Sequence, residues 1–103
     1  MGKLNSRVAG VTFEGRQALM KHVKVGDIIR LEAEPNNPYD PNAVAVIVES
    51  GDGGQIGYIP RDDAPEFKKL LADGKILHSV IETVGRSGPR KPIGCVISVV
   101  TSD

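Results

Sequence analysis

Three prolines fall within the stretch Pro35-Asn36-Asn37-Pro38-Tyr39-Asp40-Pro41-Asn42 and bar it from regular structure. Each lacks a backbone N–H, fixes its own φ and restricts the residue before it. The chain must therefore build its fold on either side of a stiff, polar loop. On both sides the apolar runs are short and β-branched, and glycine punctuates them. Asp27 to Glu34 alternates loosely, with Ile29 and Leu31 set against Arg30 and Glu32. Ala43 to Glu49 is apolar enough for a strand buried on both faces, and Ser50-Gly51-Asp52-Gly53-Gly54 is a hairpin turn into Gln55 to Ile59. Arg7 to Phe13 reads as a first strand broken at Gly10, and Ile76 to Val84 and Ile93 to Thr101 read as two more.

Two helices are expected between these strands. Glu14 to Val23 places Leu19, Met20 and Val23 on one face, with Gly26 beyond its end. Pro60 to Leu71 has Asp62, Asp63 and Glu66 near its positive end, an apolar stripe of Phe67, Leu70 and Leu71, and Gly74 to close it. About six strands, two helices and no regular strand–helix–strand alternation give a mainly β chain with two short helices. The architecture expected is a small, partly open, six-stranded antiparallel barrel. At 103 residues this is one domain, residues 1–103, with a core spanning about residues 7–101.

The chemistry open to such a domain is narrow. A single cysteine, Cys95, excludes an internal disulfide and sits in an apolar run, as expected of a small buried hydrophobe in a reducing compartment, which favours the cytoplasm. No run approaches the length of a membrane span, so no membrane partner is expected. His22 and His78 are far apart in sequence, and no metal-ligand spacing occurs. The glycines of the hairpin turn lack the Lys-Ser/Thr that completes a phosphate-binding loop. No catalytic residue, metal or cofactor is expected. Thirteen basic residues balance thirteen acidic ones, which argues against a protein that coats nucleic acid through many phosphate contacts. Any such site must be local.

The proline-rich loop is where such a site belongs. Tyr39 offers a face on which a base can stack, and Asn36 and Asn37 can donate and accept along base or sugar edges. Asp40 repels phosphate but can accept from a hydroxyl, and a strand terminus carries one. The structural alternative is that these residues simply cap and fix turns. Tyr58 and Arg61 end the hairpin's second strand, where a ring and a guanidinium can face one ligand; a strand end with a helix cap explains them equally. Arg86, Arg90 and Lys91 lie on a Gly- and Pro-rich loop suited to phosphate contacts, or to a solvated hairpin.

The order of motifs resembles the HIRAN domain family: Val8-Ala9-Gly10-Val11, then Phe13-Glu14-Gly15-Arg16, then Leu31 through Val46 with its Glu-Pro-x-Asn-Pro-x-Asp-x-Asn-Ala string, then Ile56-Gly57-Tyr58-Ile59-Pro60. The similarity runs from about Arg7 into the final strand. It implies a barrel similar to the oligonucleotide-binding (OB) fold that captures the 3′ end of single-stranded DNA in replication-fork processing or DNA repair. It also implies that Phe13 and Tyr39 flank the terminal base, that Asn36 and Asn37 shape the pocket, and that Asp40 accepts from the 3′-hydroxyl. Tyr58 and Arg61 fall at phosphate-contacting positions, with tyrosine replacing histidine at the first. Thr12 stands where an arginine is found in the fork-remodelling member.

The family occurs fused to ATPase and helicase domains, which these 103 residues do not contain, and also as free-standing bacterial and phage proteins, the type this chain resembles, so binding transfers and hydrolysis does not. A helicase or a nuclease is the partner protein this implies. The competing class is a protein-interaction or structural accessory that binds no nucleic acid, a reading that the zero net charge favours.

Overall fold

A computed structural model of the chain describes residues 1–51 and 53–102. Among these residues six strands form two antiparallel three-stranded sheets. One sheet runs β1 (Gly2–Arg7), β6 (Gly94–Thr101), β5 (Ile76–Gly85). The other runs β2 (Ile29–Ala33), β3 (Val44–Val48), β4 (Gly54–Tyr58). Two helices, α1 (Arg16–Met20) and α2 (Ala64–Ala72), complete the elements, with a short 3-10 turn at Phe13–Gly15. This is the mainly β, partly open arrangement expected, and it does not close into a continuous barrel.

Two seams join the sheets. Just past β1, Val8 donates its N–H to the Cys95 carbonyl of β6 at 3.1 Å. The next residue, Ala9, exchanges a pair of bonds with Tyr58 of β4, at 2.7 and 2.9 Å. The chain thus crosses from one sheet to the other within two residues. At the second seam Ile81 donates to Asp27, Gly26 donates to Ile81, and Ile28 bridges to Val80. The side chains of Met20, Val44, Val46, Ile56, Ile81, Ile97 and Val99 are fully buried between the layers, and burial of this kind is the main force holding the sheets together.

The first crossing explains Gly57. A Cβ there would overlap the Ala9 carbonyl oxygen and press on Val8 Cγ1, so the backbones can approach this closely only where the side chain is absent.

The first strand lies earlier than its sequence pattern indicated. Gly2–Arg7 pairs along its length with β6, whereas beyond Arg7 the strand expected to run to Phe13 contributes the Val8 bond to Cys95 and the Ala9 bridge and then stops. The strand's residues are largely polar, and Leu4 and Ser6 face inward by alternation while Lys3, Asn5 and Arg7 face out. Its conformation is imposed by β6, because strand preference depends on pairing more than on residue type. The first helix is shorter than its apolar spacing suggested. Glu14 and Gly15 adopt left-handed φ of 56° and 74°, so regular helix starts only at Arg16.

The second helix starts four residues later than Pro60 because Pro60 to Asp63 form a turn; Ala64 donates to the Pro60 carbonyl. Ala64 and Phe67 are its buried residues, and Gly74 and Lys75 close it through N–H bonds to Leu71 and Leu70. The hairpin between β3 and β4 is as expected, with Gly53 donating to Ser50 at 3.0 Å. Asp52 of that turn lies outside the described residues.

Candidate nucleic-acid interface

The proline-rich loop folds through a side chain that replaces backbone bonds. Asn37 Oδ1 accepts from the backbone N–H groups of Tyr39 at 2.9 Å and Asp40 at 3.1 Å, and its Nδ2 donates to Glu34 Oε1 at 3.0 Å. Asp40 Oδ1 in turn accepts from Asn42 N–H at 2.9 Å. These are the local Asx bonds that let Asn and Asp organise a turn where prolines have removed donors. Lys68 Nζ reaches from α2 to the Pro41 carbonyl at 3.0 Å and holds the far end of the loop. The Asx bonds bear out the turn-fixing role for Asn37 and Asp40, and they use both lone pairs of Asn37 Oδ1, whereas Asp40 keeps an acceptor position on Oδ2, with Arg61 Nε 3.9 Å away.

A cleft of about 1070 Å³ opens between this loop, the segment after the first seam, and the end of β4. Of the residues singled out from sequence, Phe13, Asn36, Asn37, Tyr39, Asp40, Tyr58 and Arg61 all line it. Phe13 is 66% exposed and Tyr39 86% exposed, so both rings are available to a ligand and neither is spent on the core. Tyr58 instead turns its hydroxyl inward, donating to Glu34 Oε1 at 2.8 Å. Arg61 lies along the loop, donating to the Tyr39 carbonyl at 3.3 Å.

Arg86, Arg90 and Lys91 do not line the cleft. They stand on the loop between β5 and β6, whose base is clamped by Gln17. That side chain donates to the carbonyls of Ile93 and Val11 and accepts from Ile93 N–H at 2.8 Å. The basic loop is thereby anchored to the segment that carries Phe13.

Among the cleft residues not singled out by sequence are Arg16 and Glu34. Arg16 is 8% exposed: Nη1 donates to the Gly10 carbonyl at 2.8 Å, Nη2 pairs with Glu14 Oε2 at 3.3 Å, and its guanidinium carbon lies 5.3 Å from the centre of the Tyr58 ring. Such stacking of a cation on an aromatic face is itself attractive. Glu34 collects both the Tyr58 hydroxyl and the Asn37 amide on one oxygen. The only hints at them were the place of Arg16 within the Phe13-Glu14-Gly15-Arg16 motif and of Glu34 at the head of the Glu-Pro-x-Asn-Pro string. The lining carries three carboxylates, Glu14, Glu34 and Asp40, against two guanidiniums, Arg16 and Arg61. That balance suits a sugar or a base edge better than a run of phosphates.

Among the described residues no group of His, Cys, Asp and Glu is arranged to hold a metal ion, and no helix is long and apolar enough to cross a membrane. Burial raises the Cys95 thiol to about 11.

Comparison with known proteins agrees with the fold. The family model described as HIRAN domain matches residues 1–101. Among solved structures, the HIRAN domain of human HLTF superposes with a TM-score of 0.73 at 22% identity, over 97% of this chain and 74% of that one. A protein from Lactobacillus plantarum superposes with a TM-score of 0.71 at 20% identity, over 98% of this chain and all of the other. A search of curated proteins found no match.

Proposed function

Because the chain belongs to the HIRAN domain family, a family of nucleic-acid-binding domains, we propose that its cleft receives the 3′ end of a single DNA strand and catalyses nothing. The observation that carries this reading is the convergence of two exposed rings, Phe13 and Tyr39, with the Asp40 carboxylate on one concavity. The terminal base stacks on the rings, Asn36 and Asn37 bound the pocket, and Asp40 Oδ2 accepts from the 3′-hydroxyl. Each stack contributes about 1–3 kcal/mol. Arg61 and the Arg86 to Lys91 loop hold phosphates as the strand leaves the cleft. Few cations and several carboxylates give micromolar rather than nanomolar affinity and a shallow dependence on salt. In DNA repair or fork processing, a helicase or nuclease partner supplies the remaining positive charge.

Fluorescence anisotropy tests this directly. A strand with a free 3′-hydroxyl binds more tightly than the same strand carrying a 3′-phosphate, and more tightly than a blunt duplex. Equal or absent binding would instead support a protein-interaction or structural accessory role.

A further inference from the structure

Arg16 has an arrangement unusual for a buried cation. Two of its partners are neutral and fixed: the Gly10 carbonyl takes Nη1, and the Tyr58 ring covers the guanidinium plane. Its carboxylate partner, Glu14, is held loosely. The Glu14 side chain is 81% exposed, and its backbone has a φ of 56°, a region that non-glycine residues rarely adopt. A charge taken out of water requires an anion or several good acceptors, whereas an ion pair with one exposed partner is weak and easily exchanged. Both residues line the cleft.

We propose that Arg16 is a phosphate-binding residue of the cleft and that Glu14 is a resident anion which an incoming strand displaces. The inference rests on the nucleic-acid reading above and adds to it a further binding residue and a competing group built into the site. The Gly10 bond and the Tyr58 ring keep the guanidinium in place during the exchange, so Nη2 passes from carboxylate to phosphate without the arginine moving. Planar, multiply donating arginine suits that exchange better than lysine does. The resident carboxylate also lowers the affinity of the cleft for stray anions, so that only a ligand with other contacts there can displace it.

The test is the Glu14→Gln variant in the anisotropy assay, beside Glu66→Gln as a control that removes the same charge from the exposed face of α2. Glu14→Gln binds a 3′-hydroxyl strand about three- to fivefold more tightly than the wild type, and Glu66→Gln leaves binding unchanged. The gain vanishes on a strand whose terminal linkages are uncharged methylphosphonates. It also vanishes when Arg16→Lys is added to Glu14→Gln; if circular dichroism shows that the double variant has not folded, the methylphosphonate strand decides.

Unchanged or weaker binding by Glu14→Gln overturns the inference, and leaves the end-binding reading standing if the wild type still prefers a free 3′-hydroxyl. A gain that survives on methylphosphonate, or that Glu66→Gln reproduces, overturns it as well. Should the wild type bind no strand at all, the end-binding reading falls and the inference falls with it.

Discussion

The Tyr58 hydroxyl donates to Glu34 at 2.8 Å, and through that bond the end of β4 grips the start of the proline-rich loop. The same carboxylate oxygen accepts from Asn37, whose other amide atom organises Tyr39 and Asp40. Replacing Tyr58 by phenylalanine keeps the ring against Arg16 and removes only this bond. A hydrogen bond to a charged group contributes about 1.5–3 kcal/mol when buried, and partial exposure here brings the expected loss to the lower end. Urea unfolding measures that loss. Hydrogen exchange supplies the local readout, with the Tyr39 and Asp40 amides exchanging faster than in the wild type.

Tyr39→Ala separates binding from folding. The ring is almost fully exposed, so stability stays within about 0.5 kcal/mol of wild type. Oligonucleotide affinity falls by about tenfold, the loss of one stacking partner. A thermal melt and an anisotropy titration on the same sample check both halves. Loss of stability with retained affinity would place Tyr39 in the scaffold.

Gly57→Ala does the reverse. The added methyl meets the Ala9 carbonyl and Val8 across the first seam, and forced overpacking of this kind costs about 1–3 kcal/mol. The melting temperature drops by several degrees, with part of the binding lost because Ala9 and Gly10 shift with the seam.

Cys95 resists alkylation at pH 8. Burial favours its neutral thiol and raises it from 9.0 to about 11, and the thiolate is the reactive form. A value raised in the folded state gives a contribution to stability present below pH 9 that declines as pH climbs towards 11. Iodoacetamide labelling followed by mass spectrometry shows modification only in denaturant.

Much of this fold was legible because hairpins and proline loops are local. The β3–β4 turn, the loop from Pro35 to Asn42 and the long pair β5 and β6 follow from spacing and from residues that impose turns. What escaped was set by distant partners. Gly2–Arg7 is a strand because β6 pairs with it. The helix after Phe13 is cut back by two left-handed residues, although Leu19, Met20 and Val23 keep a helical spacing through the turn that follows it. The site was half legible for the same reason. Tyr39 and Asp40 stand out on a rigid loop, whereas Arg16 matters through its burial beside Tyr58 and Glu34 through a hydroxyl 24 positions away, neither of which a linear pattern contains.

At Val8 and Ala9 the chain passes from one sheet to the other within two residues. Ala9 and Gly10 form part of the cleft wall, so the stitch joining the halves of the molecule is also a surface on which an occupant leans. Whatever settles there braces the joint, and its arrival should be felt as slower amide exchange as far away as Cys95 and β6, on the opposite half of the protein.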